Sequence, residues 1–479
     1  MVRRVLWGVV SAVLLLPLGM YGVAHADAAS PTVEPAAGGN GVPVLFGHTS
    51  FDLATVGYTR SEFFLSGTAT AYTPAAPLTT DGRWTVTPTT PAAYKTRVVV
   101  NRPVDPRAFN GTVVVEWLNV SGGVDASPDW IHLHDELIRR GYAWVGVSAQ
   151  AVGMNALKVA PLGDPARYAS LTHPGDSYSY DIFSQAGQAV HSGLVGLHPR
   201  RLIAVGESQS AGRLVTYIDA VHPLASVYDG FLVHSRSVNG APLSQPPLAG
   251  VPTPAPSLIR DDLTDPVLVL QTETDAGGLF ARQDDSPTFR LWEVAGSAHF
   301  DLYGLQQGAT DTGQRATVAT WFDSMRNPPA QPSPNHTCNL PVNTGPSTFV
   351  LRSAIAHLNR WVHGGPPPPK APRYETVSLQ PLQYALDADG NVRGGIRTPA
   401  VDAAVAKLSG LGNTGTASCI LFGSTVPFSA DQLAARYGDH KGFVAAWATA
   451  TVRSFVGGFL RPEDAVHLLT VGVQSTVLR

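Results

Sequence analysis

Hydrophobic runs and amphipathic stretches alternate along residues 112–326, and this alternation gives the first indication of the fold. Short apolar runs predict buried strands, and apolar residues spaced three or four apart predict helices that bury one face. Strands that alternate with helices are typical of an α/β fold, a mostly parallel sheet with helices on both faces. The predicted strands are 112–115, 142–147, 201–205, 231–233, 267–270 and 289–294, and the predicted helices are 128–140, 180–196, 209–222 and 311–326.

The segments on either side of this region have a different pattern. Before it, a stretch rich in Pro, Gly and Ala precedes short β-type runs, which together predict a loose segment and a β extension. After it, a Pro-rich joint leads to a region without a chemical motif, where a helix is predicted at 349–362. The expected units are a loose N-terminus at 27–50, a main domain with its β extension at 51–326, and a C-terminal extension packed on that domain at 327–479.

The first 26 residues have the layout of a secretory signal peptide. Arg3 and Arg4 precede a charge-free apolar run, and Ala24-His25-Ala26 offers small residues around a cleavage point. The run is long enough to span a bilayer, so an uncleaved anchor is the alternative. Pro17 and the Ala-x-Ala ending favour cleavage after Ala26. We therefore expect a secreted protein with no stable membrane span after cleavage.

The composition excludes some partners and suggests one covalent link. The formal charge of -3 provides no basic surface for nucleic acid. In an oxidising compartment the two cysteines, Cys338 and Cys419, are expected to form one disulfide; the alternative is two separate buried thiols. Two cysteines without a nearby histidine cluster do not supply four metal ligands, so no metal site is expected.

A short motif lies where the strand at 201–205 meets the next helix. Gly206-Glu207-Ser208-Gln209-Ser210 places a serine between two small residues, as a tight strand-to-helix turn requires. Such a turn lifts the serine hydroxyl off the end of the sheet, where it can act as a nucleophile. Ser177 sits in a second Gly-x-Ser-x-Ser match, but the polar run around Pro174 does not predict a buried strand before it. We therefore predict that Ser208 is the nucleophile.

A serine hydroxyl needs a histidine that takes its proton and an acid that holds the histidine. On this type of sheet the acid and the histidine follow later strands, in that order. Asp275 and Glu273 follow the strand at 267–270, and His299 follows the strand at 289–294. We predict Asp275 as the acid, because the loop has turned past the strand end there. Glu273 is the alternative acid, and His299 is the predicted base.

An oxyanion that forms during acyl transfer needs two backbone N–H donors. The first predicted donor is Gln209, the residue after the nucleophile. The second is expected from the loop after the strand at 112–115, at Val120 or Ser121, because the following glycines allow an amide there to be aimed. His132 and His134 are two residues apart on a predicted helix and face different ways, so they do not chelate one ion.

Several stretches resemble a known family. The Ser208 turn and the following acid and histidine resemble the α/β-hydrolase superfamily. More narrowly, the chain is similar to secreted bacterial α/β-hydrolase domain-containing proteins. The resemblance implies a Ser-acid-His hydrolase whose catalytic domain is 51–326, and Ser210 departs from it where the superfamily has Gly. The stretches that carry the narrower resemblance are 66–69, 115–120, 144–150, 180–185, 271–275 and 394–399, together with the Ser208 turn.

The expected activity is hydrolysis of carboxylic esters through an acyl-enzyme, with a small-molecule or lipid-like ester as substrate and no cofactor. A Pro-rich and Leu-rich segment at 236–265 is expected to shape the substrate mouth. One alternative is an acyltransferase that uses the same side chains. Another is a catalytically idle surface binding protein whose C-terminal third is the working part. The sequence leaves the acyl chain length open.

Overall fold

In the described part of the chain, nine strands form one large sheet. The computed structural model describes residues 30–42, 44–331 and 335–479, so the predicted signal peptide at 1–26 lies outside the described residues. The strands of this sheet are, in chain order, β1 (Thr32–Pro35), β2 (Tyr58–Pro74), β3 (Val86–Pro103), β4 (Thr112–Trp117), β5 (Ala143–Val147), β6 (Arg201–Glu207), β7 (Gly230–His234), β8 (Val267–Thr272) and β9 (Phe289–Val294).

The sheet has the order β1-β2-β3-β5-β4-β6-β7-β8-β9. The six strands from β4 to β9 are parallel to their neighbours, and β1, β2 and β3 add an antiparallel extension that joins at β5. All residues of β4, β5, β7, β8 and β9 are buried, which explains their near-continuous apolar sequences. The predicted α/β fold with a mostly parallel sheet is confirmed.

Helices cover both faces of the sheet. The helices are, in chain order, α1 (Pro128–Arg139), α2 (Ala151–Leu157), α3 (Pro165–Tyr168), α4 (Ser179–His191), α5 (Gln209–Thr216), α6 (His222–Ala225), α7 (Arg315–Arg326), α8 (Ser347–Val362), α9 (Pro399–Asp402), α10 (Ala430–Tyr437), α11 (His440–Val456) and α12 (Pro462–Gln474). Side chains of α4 and α5 pack in the core on one face, and those of α1 and α8 pack on the other. The C-terminal region, through α8, therefore supplies part of the layer that covers the sheet.

The C-terminal region also contains two small hairpins and a disulfide. Its strands are β10 (Thr376–Leu379), β11 (Leu382–Tyr384), β12 (Ala406–Ser409) and β13 (Ser424–Pro427). Cys338 and Cys419 form one disulfide across 81 residues, so they are not separate thiols. None of the helices in the described ranges has the length and hydropathy that a bilayer crossing requires.

The N-terminal part is more ordered than its sequence suggests. Within the segment 27–50, expected to be loose, Thr32–Pro35 pair with β2 and so form an edge strand. The short β runs predicted after it are parts of one long hairpin, β2 and β3, of 17 and 18 residues. Prolines and small polar residues interrupt the apolar pattern of these strands, and continuous cross-strand pairing joins their exposed and their buried parts.

The start of α1 is held by a buried carboxylate rather than by the side chain of its cap residue. Ser127 occupies the cap position, but its hydroxyl donates to the Gly47 carbonyl and not back to the helix. The buried carboxylate of Glu116 instead accepts from the amides of Asp129 and Trp130 at 3.0 and 2.9 Å. A carboxylate at the positive end of a helix dipole satisfies the amides that lack an intrahelical acceptor.

A buried ion cluster ties the C-terminal helices to the sheet-covering helix α1. The guanidinium of Arg352 on α8 lies 2.9 Å from Asp135, 2.8 Å from Asp311 and 3.2 Å from Asp464. Burial alone would lower the pKa of Arg352, but these carboxylates raise it well above its usual value. Arg352 thus pairs with three buried acidic side chains, and Arg139 on α1 also contacts two of them, Asp135 at 3.1 Å and Asp464 at 3.3 Å.

Replacing Arg352 with leucine is expected to reduce the free energy of unfolding by about 3–5 kcal/mol, because buried Asp311 loses its ion pair with Arg352 and Asp135 and Asp464 are left to share Arg139. Arg393→Leu is the control, since its ion pair with Glu375 is about half exposed on both sides. That variant should cost less than about 1 kcal/mol. Urea unfolding followed by tryptophan fluorescence measures both, and equal losses would contradict the role given to Arg352.

Candidate active site

Ser208 stands in a strained turn between β6 and α5. Its φ of 60° and ψ of -117° lie outside the regions that residues other than glycine ordinarily occupy. The Ser208 amide donates to the His234 carbonyl at 2.9 Å, and its carbonyl accepts from the Gly212 amide at 3.1 Å. These two bonds fix the backbone at the point where the sheet ends, and the hydroxyl is left accessible.

The two small residues of the motif are required by close packing. A Cβ on Gly206 would lie 3.1 Å from the backbone carbonyl of Ser210 and 3.1 Å from a methyl group of Leu214. Ser210 is fully buried, and its hydroxyl donates to the Glu207 carbonyl at 2.8 Å and accepts from the Glu207 amide at 3.1 Å. Serine in place of glycine therefore adds two hydrogen bonds inside the turn.

The hydroxyl of Ser177, in the second Gly-x-Ser-x-Ser match, forms hydrogen bonds that hold loops together. Ser177 is fully buried in a 3₁₀ turn, where its hydroxyl contacts the Ser244 hydroxyl at 3.0 Å. The same hydroxyl donates to the Gln245 carbonyl and accepts from the Gln245 amide, both at 2.8 Å. Its hydrogen bonds connect loops, and no histidine is among its partners in the described residues.

His299 contacts both Ser208 and Asp275. Its Nε2 lies 2.8 Å from the Ser208 hydroxyl, and its Nδ1 lies 2.6 Å from Asp275 Oδ1. The three residues follow β6, β8 and β9, whose carboxyl ends meet at one edge of the sheet. The structure thus brings the three predicted residues together as a continuous hydrogen-bonded chain.

The Asp275 carboxylate is held as an anion. Its Oδ2 accepts from the amide and the hydroxyl of Thr272 at 2.7 and 2.9 Å. Burial alone would raise the pKa of Asp275, but the charge of His299 and these hydrogen bonds lower it below its usual value. An ionised acid at Nδ1 keeps the proton on that nitrogen and leaves Nε2 to face Ser208.

Glu273, the alternative acid, is occupied elsewhere. Its carboxylate accepts from the amides of Gly296 and Gly410 at 2.6 and 2.8 Å. Burial raises the pKa of Glu273 to about 7. Because Gly296 precedes His299 and Gly410 belongs to the C-terminal region, this carboxylate joins the histidine loop to that region.

The backbone amides predicted to donate to an oxyanion differ in whether they already have an acceptor. Gln209 is the first residue of α5, so its amide has no acceptor inside the helix. The Ser121 amide already donates to Asn119 Oδ1 at 2.8 Å. The Val120 amide has no acceptor among the described residues. Asn119 also donates to the Glu207 carbonyl at 2.9 Å, which fixes this loop against the Ser208 turn.

A second carboxylate, which the sequence pattern did not indicate, lies beside the histidine. Glu207 Oε1 lies 3.1 Å from His299 Nε2, and Asn119 donates to its Oε2 at 3.3 Å. Burial raises the pKa of Glu207 to about 7, although the charge of His299 acts in the opposite direction. Glu207 lies within the motif itself, but which way the last residue of a strand points depends on the turn.

Two cavities meet at Ser208 and His299. One, of about 260 Å³, is lined mainly by apolar side chains, and we call it the apolar cavity. The other, of about 480 Å³, also has apolar surface but a larger share of polar groups, and we call it the polar cavity. Residues 236, 237 and 239–242 line the second cavity, so part of the segment 236–265 does reach the site. The apolar cavity is lined in part by Phe46, Phe300, Leu305, Leu421 and Phe422, and the polar cavity in part by Ser235, Ser237, Asn239 and Thr274.

Neither histidine of helix α1 belongs to the hydrogen-bonded series Ser208, His299 and Asp275. His132 stacks on Tyr303, and Nε2 of His134 contacts the Asp311 carbonyl at 2.8 Å. Among the described residues, no group of three or more His, Cys, Asp or Glu side chains is arranged to hold a metal ion.

Comparison with known proteins gives the family. A family model described as "Alpha/beta hydrolase domain" matches residues 30–470. A search of curated proteins found no match. Several solved structures resemble the chain distantly, with TM-scores too low to support an argument about function. They include a fungal esterase from Rhizomucor miehei (13% identity, 62% of this chain and 85% of that chain, TM-score 0.31), an esterase from Pyrobaculum calidifontis (18%, 42% and 71%, 0.26) and an alpha-beta serine hydrolase homologue from Coxiella burnetii (14%, 43% and 84%, 0.26).

The family match covers the main sheet, the Ser208 turn and most of the C-terminal region. It agrees with the parallel strand order and with the family resemblance noted in the sequence. The chain belongs to the α/β-hydrolase domain family.

Proposed function

We propose that this protein is a secreted serine hydrolase that cleaves carboxylic esters through an acyl-enzyme. The observation that carries the proposal is the chain from Ser208 through His299 to Asp275, with contacts of 2.8 and 2.6 Å. A hydroxyl, a base and an acid in this order form the arrangement that activates a serine for acyl transfer. The disulfide between Cys338 and Cys419 supports an oxidising compartment.

The first half of the reaction forms the acyl-enzyme. His299 Nε2 takes the hydroxyl proton as Ser208 Oγ bonds to the ester carbonyl carbon, and the carbonyl oxygen becomes an oxyanion. The amides of Gln209 and Val120 donate to this oxyanion. The intermediate collapses when the bond to the alcohol oxygen breaks and His299 returns its proton to that oxygen.

The second half releases the acid. A water molecule takes the place of the alcohol beside His299 Nε2, gives a proton to that nitrogen and attacks the acyl carbon. The bond to Ser208 Oγ breaks, and the serine recovers its proton from His299. Asp275 holds Nδ1 protonated in both halves and stabilises the imidazolium that forms in each.

Ser208→Ala is expected to keep the fold, because the side chain is small and its backbone bonds remain. Turnover of p-nitrophenyl esters should fall by about 10⁴-fold or more, since no nucleophile remains. The wild type should also be labelled by a fluorophosphonate probe, and the variant should not be. Equal ester turnover in the two proteins would reject the proposed function.

Asp275→Asn is expected to lower kcat by about 10⁴-fold, because an amide no longer selects the correct histidine tautomer. Glu273→Gln is the matched control, since the Glu273 carboxylate accepts from the amides of Gly296 and Gly410. We expect that variant to keep kcat within about tenfold and to lower the melting temperature. A larger loss of kcat in Glu273→Gln than in Asp275→Asn would make Glu273 the acid.

Glu207 is expected to set the pH range of the reaction. His299 works as a base only when Nε2 is neutral. Burial alone would lower the pKa of His299, but Glu207 and Asp275 raise it to about 9. The other ionisable groups that face Glu207 are His234 and Asp129. Activity should therefore increase with pH as His299 loses its proton near pH 9.

Glu207→Gln removes one of the two carboxylates that favour the imidazolium. The rise of kcat/KM with pH should then occur at lower pH, by about 1 pH unit or more. Glu375→Gln makes the same change on a half-exposed carboxylate and should leave the profile in place. An unchanged profile in Glu207→Gln would show that this carboxylate does not act on His299.

A further inference from the structure

The two cavities at the catalytic pair differ in chemistry, and Ser208, His299 and Leu421 line both of them. The carbonyl carbon of an ester carries two arms, an acyl chain and an alcohol. When that carbon is bonded to Ser208 Oγ, the arms must leave it in different directions. The two cavities provide two such directions, and the second has the larger share of polar groups in its lining.

The C-terminal region builds one wall of the apolar cavity. Leu421 and Phe422 line it together with Phe300, which follows His299 directly. The Phe300 amide donates to the Leu421 carbonyl at 3.2 Å, and the Asn343 amide donates to the Phe422 carbonyl at 2.8 Å. The wall is therefore attached to the histidine loop by backbone hydrogen bonds.

The disulfide stands immediately behind this wall. Cys338 and Cys419 pack in one buried cluster with Leu302, Val342 and Phe422. Because Cys419 is only two residues before Leu421, the covalent link limits how far the wall can move. The apolar cavity is thus formed before a ligand arrives, which lowers the entropic cost of binding.

The polar cavity offers hydroxyl and amide groups beside its apolar surface. Its lining includes the side chains of Ser237 and Asn239, of which Ser237 is exposed and Asn239 half-buried. Covering such groups with an alkyl chain would remove their hydrogen bonds to water without replacing them. A hydroxyl-bearing arm, in contrast, replaces those bonds.

The order of the reaction steps determines which arm of the ester binds in which cavity. During deacylation the acyl arm stays bound while water enters beside His299 Nε2, at the place that the alcohol has left. A polar cavity can hold that water through several hydrogen bonds, and an apolar cavity cannot. The acyl arm therefore belongs in the apolar cavity and the alcohol in the polar cavity.

We propose that the substrates are esters of an apolar acyl chain with a hydroxyl-bearing alcohol, and that the C-terminal wall at Leu421 and Phe422 selects the acyl chain. This inference rests on the proposed ester hydrolysis. It gives the C-terminal region a direct part in substrate selection.

Two matched ester series test the assignment on the full mature protein. Glycerol monoesters from acetate to octanoate lengthen the acyl arm, and alkyl glycolates from methyl to octyl lengthen the alcohol arm. We expect kcat/KM to rise by roughly twofold to fourfold for each methylene added to the acyl arm. The alkyl glycolates should show no such rise.

Variants of the cavity lining test where the acyl chain is selected. Leu421→Ala is expected to lower the ratio of octanoate to acetate kcat/KM by about fivefold or more. Ile420→Ala is the control, since this neighbour is 61% exposed and does not line either cavity. It should leave the ratio within about twofold. Leu305→Ala, in the same apolar cavity, provides a second variant if Leu421→Ala folds poorly by circular dichroism.

The outcomes separate this inference from the proposed function. Hydrolysis of neither series, without fluorophosphonate labelling of Ser208, rejects ester hydrolysis itself. Hydrolysis of both series with no dependence on acyl length rejects only the assignment of the cavities. A rise in the alkyl series instead, or an equal effect of Leu421→Ala and Ile420→Ala, also rejects it.

Discussion

The backbone at Ser208 is the constraint on which the site depends. Its positive φ costs about 1–3 kcal/mol and persists only because the surrounding structure enforces it. The His234 carbonyl holds its amide, and Gly206 and Ser210 allow β6 and α5 to approach closely enough. The same turn presents the hydroxyl to His299, leaves the Gln209 amide without a helical acceptor, and brings Glu207 beside the base.

The loops that carry the acid and the base rest on the C-terminal region. Gly410 donates to Glu273 and accepts from the Thr274 hydroxyl, and Asn343 donates to the Gly296 carbonyl. These contacts lie just before Asp275 and just before His299 along the chain. Together with the Arg352 cluster, they make residues 335–479 a structural support for the site rather than a separate appendage.

Glu207 and Asp275 contact His299 at different ring nitrogens. Asp275 contacts Nδ1, while Glu207 contacts Nε2, the nitrogen that faces the Ser208 hydroxyl. Both carboxylates stabilise the imidazolium, but Glu207 also competes with the Ser208 hydroxyl for the same nitrogen. The two carboxylates raise the pKa of His299, so the imidazole is a stronger base but less of it is neutral at lower pH.

The sequence by itself determined the order of strands and helices in the α/β region, because burial on both faces of a parallel sheet leaves continuous apolar runs. It also indicated Ser208, Asp275 and His299, since the loops after parallel strands meet at one edge. Short-range patterns did not give the long hairpin β2–β3, because pairing between strands maintains it without a regular apolar repeat.

Only the tertiary structure decided the contacts between distant segments. It distinguished Asp275, which contacts His299, from Glu273, whose carboxylate accepts from the amides of Gly296 and Gly410. It placed Glu207 against His299 and the wall at Leu421 beside Ser208. These relations join residues far apart in the chain, and the direction of a side chain at a strand end or in a loop is set by packing, which no local pattern records.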